Sequence, residues 1–496
     1  MLPKTYSELK EYASRHGVEI ESAVSGILDK KDDTSFSFII ILAIMRSKKL
    51  IGVNSYYQFV NFEIICEADA DGKCVLTPNS TVKFHKHESP FTTKKAHEIS
   101  NLDTEINPSL IIAGCGALGS KIAMHLVRSG ITNILFCDPD YLSDHNLCRH
   151  ALLDKSVYKN KASEMRSATN LIYYHEMLKA DASCRGIKTI LGDAEIMSKR
   201  TPDYLLDFTA SKVAHNQLVN IKNRPTAISA AIFDNGKFGL LMSEGNNGEV
   251  RLDDVMAAFF AQYKTDSIVS SYLMREKELS REPSSLLNVG LGCNSETFIL
   301  ADDIISLYAA SMSVTIKDIF AGNHANGGCW MYISDKFGSL KIQKIEVPQF
   351  YCYDVDTWKV HIFNKVVNDI ADQTKAAGRY ETGGYLIGQC KLQTNTIHVI
   401  DTIEAPEDTI HRGDYLVLGK AGIRKKLSQV ERRTGGTFGY VGEWHSHPNG
   451  PSEFSTTDLE EFANKAEEMK ADCTTRPILE LLVSPIGISC AVLTLH

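Results

Sequence analysis

An apolar strand, a glycine-rich turn, a helix and a second apolar strand follow one another in SLIIAGCGALGSKIAMHLVRSGITNILFCDPD, residues 109–140. Gly114, Gly116 and Gly119 form GxGxxG at the junction of the first strand and the helix. Glycine permits the tight turn and lets backbone N–H groups approach a phosphate, while the helix dipole favours the anion. Asp138 ends the second strand, where a carboxylate can hold ribose hydroxyls. The pattern predicts an α/β domain that binds a nucleotide. It does not by itself say which nucleotide chemistry follows.

The next residues narrow the choice. YLSDHNLCRHALL and VYKNKASEM place Asn146, Arg149 and Lys161 downstream of Asp138. Hydride transfer gives no reason for an Asn, an Arg and a Lys in these places. Adenylation does, because charge accumulates on the α- and β-phosphates as pyrophosphate leaves, and cations stabilise it. The run resembles the ThiF/MoeB-type adenylyltransferases, the family that includes ubiquitin-activating enzymes. That resemblance implies that Asp138 binds ribose, Asn146 and Arg149 contact phosphate, and Lys161 stabilises the triphosphate of ATP. The family usually carries DxTDN, whose second aspartate helps to hold magnesium. Here YLLDFTAS keeps Asp207 and puts Ala210 at the second position, so either Asp207 or the phosphates themselves carry the metal, or adenylation is weakened.

Cys293 follows Gly290 and Gly292 and precedes an expected helix, Glu296 to Ala310. A helix N-terminus favours a thiolate. The GC-x-x-x-TF segment resembles the one that carries the candidate thioester cysteine in fused bacterial activating enzymes, which implies that role for Cys293. A packed structural cysteine is the plainer alternative, and Ser295 is a weaker acyl carrier.

Near the C-terminus, EWHSHPNGPSEFSTTD spans Glu443 to Asp458. In a strand, side chains two apart share a face, so His445 and His447 can grip one ion. Asp458, at the start of an expected helix, closes a three-ligand set that leaves a fourth zinc position for water. ETGGYLIG supplies Glu381 as general base. Together these residues resemble the JAMM (JAB/MPN+) metalloproteases, whose pattern E…HxHPx6SxxD is matched at every position. The resemblance implies amide hydrolysis, with zinc on His445, His447 and Asp458, and Ser455 bonding the oxyanion. Before Glu381, WKVHIFNKVVNDIADQTKAA has Val360, Phe363, Val366, Val367 and Ile370 at helical spacing. A further helix is expected around Tyr415 to Arg433, its basic run a solvated face.

Length, 496 residues, allows about three domains. The expected architecture is a small N-terminal α+β domain (1–106), a Rossmann-like adenylating domain (107–348) and an α+β JAMM domain (349–496). The first opens with a helix, Thr5 to Arg15, then strand runs FSFIIILAIM and YYQFVNFEIICEA. It lacks an HPN motif of its own, so it is expected not to be an active conjugating domain, though it can be a relic of one. Net charge of −8 argues against a sequence-independent grip on nucleic acid. Phe36 to Met45 is too short to span a bilayer. Twelve cysteines without a CxxC pair exclude a zinc ribbon, and the expected compartment is the cytoplasm.

Amide cleavage and carboxylate activation meet on the C-terminal tail of a ubiquitin-like protein. The whole chain resembles bacterial fusions of an activating enzyme with a JAMM peptidase, which implies a ubiquitin-like conjugation pathway, often antiphage, with a separate conjugating-enzyme-like partner. It also implies a homodimer through the adenylating domain. One alternative is activation of a sulfur carrier to a thiocarboxylate. Another is a JAMM peptidase on a non-catalytic nucleotide-binding scaffold, a reading that Ala210 motivates.

Overall fold

A computed structural model describes residues 2–28, 35–71, 74–103, 106–177, 180–246, 248–279, 286–288, 296–335, 338–412, 415–471 and 476–494. The chain forms two compact units: residues 1–107 with 127–132 and 170–178, and residues 108–126, 133–169 and 179–496.

In the first unit, the Thr5 hydroxyl accepts the Glu8 amide and caps α1 (Tyr6–Arg15), which buries Tyr6, Leu9 and Ala13. After α2 (Glu21–Leu28), β1 (Phe36–Met45) and β2 (Tyr57–Ala68) pair antiparallel. β3 (Cys74–Val75) and β4 (Val82–His85) both pair with β2, and α3 (Thr93–Ile99) follows. Leu9, Phe62, Ile64 and Cys66 are fully buried in this unit's core. The cysteine serves there as a small apolar side chain.

The second unit holds two large sheets. Its first half runs β5 (Leu110–Ala113), α4 (Ala117–Arg128), β6 (Ile134–Cys137), α5 (Lys161–Asn170), β7 (Asp181–Ser183), α6 (Ile187–Leu191) and α7 (Ala194–Arg200). It continues with β8 (Tyr204–Asp207), α8 (Lys212–Asn220), β9 (Thr226–Phe233), β10 (Phe238–Ser243), α9 (Leu252–Ala261) and α10 (Ser267–Leu279). Then come β11 (Leu286–Asn288), β12 (Glu296–Phe298), α11 (Asp302–Phe320), β13 (Gly328–Ser334) and β14 (Leu340–Ile345). The sheet order is β14-β13-β10-β9-β8-β5-β6-β7. From β7 to β9 the strands are parallel, and the other three are antiparallel. Strands β5, β6 and β8 end level with one another at Ala113, Cys137 and Asp207. Successive strands leave β5 on opposite sides there, the position at which doubly wound sheets open a ligand crevice.

The second sheet is built from β15 (Phe350–Val355), β16 (Trp358–Phe363), β17 (Gly383–Lys391), β18 (Thr396–Glu404), β21 (Gly439–Ser446), β22 (Ile478–Ser484) and β23 (Gly487–Leu493). Its order is β15-β16-β18-β17-β21-β22-β23. Helix α12 (Asn364–Ala377) follows β16, and α13 (Ile423–Arg433) follows a two-strand ribbon of β19 (Ile410–His411) and β20 (Leu416–Val417). Helix α14 (Thr456–Ala471) connects β21 to β22.

Three expected helices begin later than the sequence suggests. Trp358–Phe363 is strand β16, not helix, because Trp358, Val360 and Ile362 also fit a period of two and the strand is paired on both sides. The helix starts at Asn364 and buries Val366 and Ile370. The helix expected from Glu296 begins instead at Asp302, where Asp302 and Asp303 suit the positive end of the dipole. Residues 296–298 pair with β11. The helix expected from Tyr415 begins at Ile423, after Gly422 turns the chain at φ +73°.

One hydrophobic core runs through the second unit, from Ile111 and Leu205 to Val360, Ile397 and Leu481. Helix α9 is buried on all sides through Leu252, Val255, Ala258 and Phe259, and packs on β10, β13 and β18. Asp254 in its first turn is fully buried. Its Oδ1 accepts from Nδ1 of His361 at 2.5 Å and from Nε2 of His398 at 3.0 Å.

Candidate metal centre and nucleotide site

The glycine-rich turn is shaped by close approach. Gly114 has φ +88°, and a Cβ there would come within 2.8 Å of the backbone of Phe208 and Thr209. A Cβ on Gly119 would sit 2.1 Å from the Gly114 carbonyl oxygen, whereas one on Gly116 would meet nothing within 4 Å. Gly116 therefore faces the open side of the turn. Asp138 is buried against this loop: its Oδ2 accepts the Cys115 amide at 2.7 Å and its Oδ1 the Asp140 amide at 2.8 Å. Burial raises its pKa, opposed by these N–H donors and by Lys161.

Asn146 shapes its own turn, its Oδ1 accepting the Ser143 amide at 3.1 Å. Arg149 donates from Nη1 to the Leu300 carbonyl at 3.2 Å. Lys161 opens α5, and its Nζ lies 3.4 Å from Oδ2 of Asp140. Asp207 is buried, and its Oδ1 accepts both the amide and the hydroxyl of Thr209. Burial pushes this carboxyl's pKa up. Ala210 stands at φ +52°, a left-handed conformation that Asp and Asn adopt more readily than Ala. Cys293 and Ser295 lie outside the described residues. A contributor that the sequence did not single out is His150. Its Nε2–H donates to the Cys115 carbonyl at 2.6 Å, while Nδ1 accepts the Leu152 amide at 3.0 Å. Burial lowers its pKa to about 4, so it braces the glycine loop as a neutral imidazole.

The second site stands at the end of β17 and β21. Gly383 pairs with His445, and Ser446 donates its amide to the Thr382 carbonyl at 2.8 Å. This register brings Glu381 opposite His447, with Oε1 3.9 Å from Nε2. A Cβ on Gly383 would lie 2.4 Å from the Trp444 carbonyl oxygen, so this close strand approach needs glycine. His445 and His447 project from the same face, their rings 5.2 Å apart. Asp458, in the first turn of α14, presents Oδ1 to Nε2 of His445 at 3.5 Å and Oδ2 to Nε2 of His447 at 3.4 Å.

These separations fit a shared ion better than direct bonds. Donors held about 2.0–2.1 Å from a tetrahedral zinc stand about 3.3–3.4 Å apart. Nε2 of His445 is buried with no hydrogen-bond partner among the described residues. Both other ring nitrogens are engaged: Nδ1 of His445 faces Oε1 of Glu480 at 3.0 Å, and Nδ1 of His447 faces the Pro451 carbonyl at 3.2 Å. Each Nε2 is thereby left for the ion. Burial works against the His445 imidazolium, but the Asp458 and Glu480 carboxylates outweigh it and raise the pKa to about 9. Burial also opposes the Asp458 carboxylate, yet His445 and Ser455 hold its pKa far below the ordinary range.

Ser455 and Asp458 cap α14 reciprocally. The Ser455 amide donates to Oδ2 at 2.7 Å, and the Asp458 amide donates to the Ser455 hydroxyl oxygen at 3.1 Å. The hydroxyl keeps its own proton to donate. Behind the site, Lys465 donates to Oε2 of Glu443 at 2.6 Å and ties α14 to β21. Glu443 and Glu480 pair across the parallel strands β21 and β22. None of Glu443, Lys465 and Glu480 belongs to the sequence pattern. The signal available for Glu480 was a lone carboxylate inside the apolar strand ILELLVS.

Residues 104–238 match the ThiF family, and residues 363–491 match the prokaryotic homologs of the JAB domain. A CD-NTase/cGAS isopeptidase of Enterobacter hormaechei subsp. hoffmannii (strain UCI 50) is 28% identical over 130 residues, 26% of this chain and 71% of that protein. The ATP-dependent ubiquitin transferase-like protein Cap2 of the same strain is 35% identical over 103 residues, 20% of this chain and 16% of Cap2. Among solved structures, E. coli MccB with ATP matches at 14% identity and a TM-score of 0.33, covering 49% of this chain and 64% of MccB. PaaA matches at 13% and 0.34, covering 50% and 68%. Scores this low carry no argument. No helix among the described residues is long and apolar enough to cross a membrane. The chain thus joins, in one polypeptide, a region that matches the ThiF family to a region that matches the prokaryotic homologs of the JAB domain.

Proposed function

We propose that the chain activates the C-terminal carboxylate of a ubiquitin-like protein with ATP and also hydrolyses amide bonds made at that carboxylate. The names of the isopeptidase and transferase-like relatives support this reading. The observation that carries it is the set His445, His447 and Asp458, spread to 3.4–3.5 Å with Glu381 facing it. The three parts are 1–106, 107–348 and 349–496. The setting is a bacterial ubiquitin-like pathway, antiphage in role and cytoplasmic, with a separate conjugating-enzyme-like partner and a homodimer through the adenylating part.

The residues divide the work as follows. His445, His447 and Asp458 would hold a zinc ion, which would lower the pKa of a bound water and polarise a scissile carbonyl. Glu381 accepts the water's proton and returns it to the departing amine as the C–N bond breaks. The Ser455 O–H donates to the developing oxyanion. At the other site, a carboxylate oxygen attacks the α-phosphorus of ATP and pyrophosphate leaves. Asp138 holds ribose, the amides of Gly114, Gly116 and Gly119 line the phosphates, and Asn146, Arg149 and Lys161 contact the charge that develops. Asp207 holds magnesium. Cys293 then takes the acyl group as a thioester and releases AMP.

The direct test supplies the protein with ATP, magnesium and a ubiquitin-fold protein extended beyond its terminal glycine. Removal of the extension, lost in Glu381→Gln, followed by pyrophosphate exchange, lost in Lys161→Ala, is expected. Ala210 favours the scaffold reading as the second choice, and absence of exchange with a trimmed carrier would select it.

A further inference from the structure

We propose that Glu480 is a positioning residue for the metal site: its carboxylate fixes His445 as the Nδ1–H tautomer and aims Nε2 at the ion. The inference rests on the metal-hydrolase reading above and assigns a role to a residue outside its pattern.

Glu480 is 4% exposed and sits on β22, where its strand neighbours are Leu479 and Leu481. A buried carboxylate is costly unless it is bonded and balanced. Its Oε1 lies 3.0 Å from Nδ1 of His445, while its Oε2 is buried with no hydrogen-bond partner among the described residues. The nearby cation, Lys465, is bonded to Glu443. Lys465 acts on Glu480 through its charge without bonding it, and the imidazole ring of His445 is the partner that Glu480 bonds directly. Glu480 accepts at one nitrogen, and the other nitrogen faces Asp458 at 3.5 Å. With both histidines neutral, Glu480 and Asp458 together carry the charge that a divalent cation neutralises.

The two imidazoles are held differently. His447 meets a neutral backbone carbonyl, that of Pro451, whereas His445 meets a carboxylate. A carboxylate makes the ring a stronger donor and fixes its orientation, and loss of such a partner typically costs about 10–100-fold in metal affinity. Strand register supplies the rigidity: Glu480 pairs with Glu443, two residues before His445 on the neighbouring strand.

The test is zinc affinity of the full chain by chelator competition, comparing wild type, Glu480→Gln and Glu480→Ala. Circular dichroism of the metal-free proteins checks the fold. The expected result is affinity lower by about 10–100-fold in Glu480→Ala, with a smaller loss in Glu480→Gln, whose amide oxygen still accepts but carries no charge. Wild-type affinity in both variants would overturn the inference and leave the metal-hydrolase reading standing. A wild-type chain that binds no zinc would overturn both. Should the variants fail to fold, 15N spectra of histidine-labelled, zinc-loaded wild type decide. A proton on Nδ1 of His445 supports the proposal, and zinc on Nδ1 overturns it.

Discussion

Among the described residues, two sets of two histidines and one aspartate, the first buried throughout and the second with a half-buried aspartate, are built in opposite ways. In Asp254, His361 and His398 the donors close on one carboxylate oxygen at 2.5 and 3.0 Å. In His445, His447 and Asp458 the ring nitrogens stand 3.5 and 3.4 Å from two different oxygens. The first set closes by direct hydrogen bonds onto Asp254 and ties α9 to β16 and β18, leaving Nδ1 of His398 without a hydrogen-bond partner among the described residues. The second is held apart by Glu480 and Pro451, which engage the Nδ1 atoms turned away from the centre, while the Ser455 amide anchors Asp458 through Oδ2. Residue types alone therefore do not make a candidate metal site; the spacing that neighbouring groups impose on them does.

The largest expected effect concerns chemistry in the open set. If Glu381 moves a proton and does not hold the ion, as proposed, Glu381→Gln should slow amide hydrolysis by about 10²–10⁴-fold while zinc content stays unchanged. Rate and metal content measured on one preparation separate the two roles. Stability should respond to the closed set. Removing one partner of a buried pair leaves a charge without compensation, so Asp254→Ala should cost about 3–5 kcal/mol in urea unfolding. Asp458→Ala in metal-free protein should cost far less. Equal losses would erase the distinction.

Ligand linkage gives a third, smaller contrast. Zinc at 100 times its dissociation constant should stabilise the wild type by about 2.7 kcal/mol. That gain should vanish in Asp458→Ala and persist in His398→Ala, as followed by melting with and without zinc.

A fourth contrast is pH dependence. Burial opposes the His361 imidazolium, but Asp254 and the Cys352 thiol outweigh it and hold its pKa well above the usual value of about 6.5. A raised folded pKa means the contribution is complete below about pH 6.5 and is lost as pH rises through the folded value. Burial likewise opposes the Asp254 carboxylate, yet His361 and His398 hold its pKa low. Its contribution is present above about pH 4 and fails as pH falls toward that lowered value. Unfolding free energy of metal-free protein should therefore decline from neutral to alkaline pH. The decline should be about 1.4 kcal/mol for each unit by which the His361 pKa is raised. Asp254→Asn should flatten the profile.

The same contrast explains what the sequence made legible. His445, His447, Ser455 and Asp458 fall within one strand–loop–helix, so their spacing alone suggests a shared ion. Asp254, His361 and His398 are separated by 107 and 144 positions from carboxylate to ring, and only the packing of α9 on the second sheet joins them. The GxGxxG turn was legible because its glycines fall within one strand–turn–helix, with Gly119 against the Gly114 carbonyl, although the contact that demands Gly114 comes from the distant Phe208 backbone. WKVHIF misled because six residues cannot separate a period of 2 from one of 3.6, and its pairing partners β15 and β18 lie on either side of it in the chain. Glu480 escaped because the register of β22 against β21, which no local pattern reveals, decides which side chain it meets.

The central claim is that the open set, and not the closed one, holds the metal. Anomalous diffraction recorded on both sides of the zinc edge, from crystals of the full chain grown with zinc, tests it directly. The account predicts one peak among Nε2 of His445, Nε2 of His447 and the carboxylate of Asp458, and none at Asp254. A peak at Asp254, or density at neither place, would contradict it.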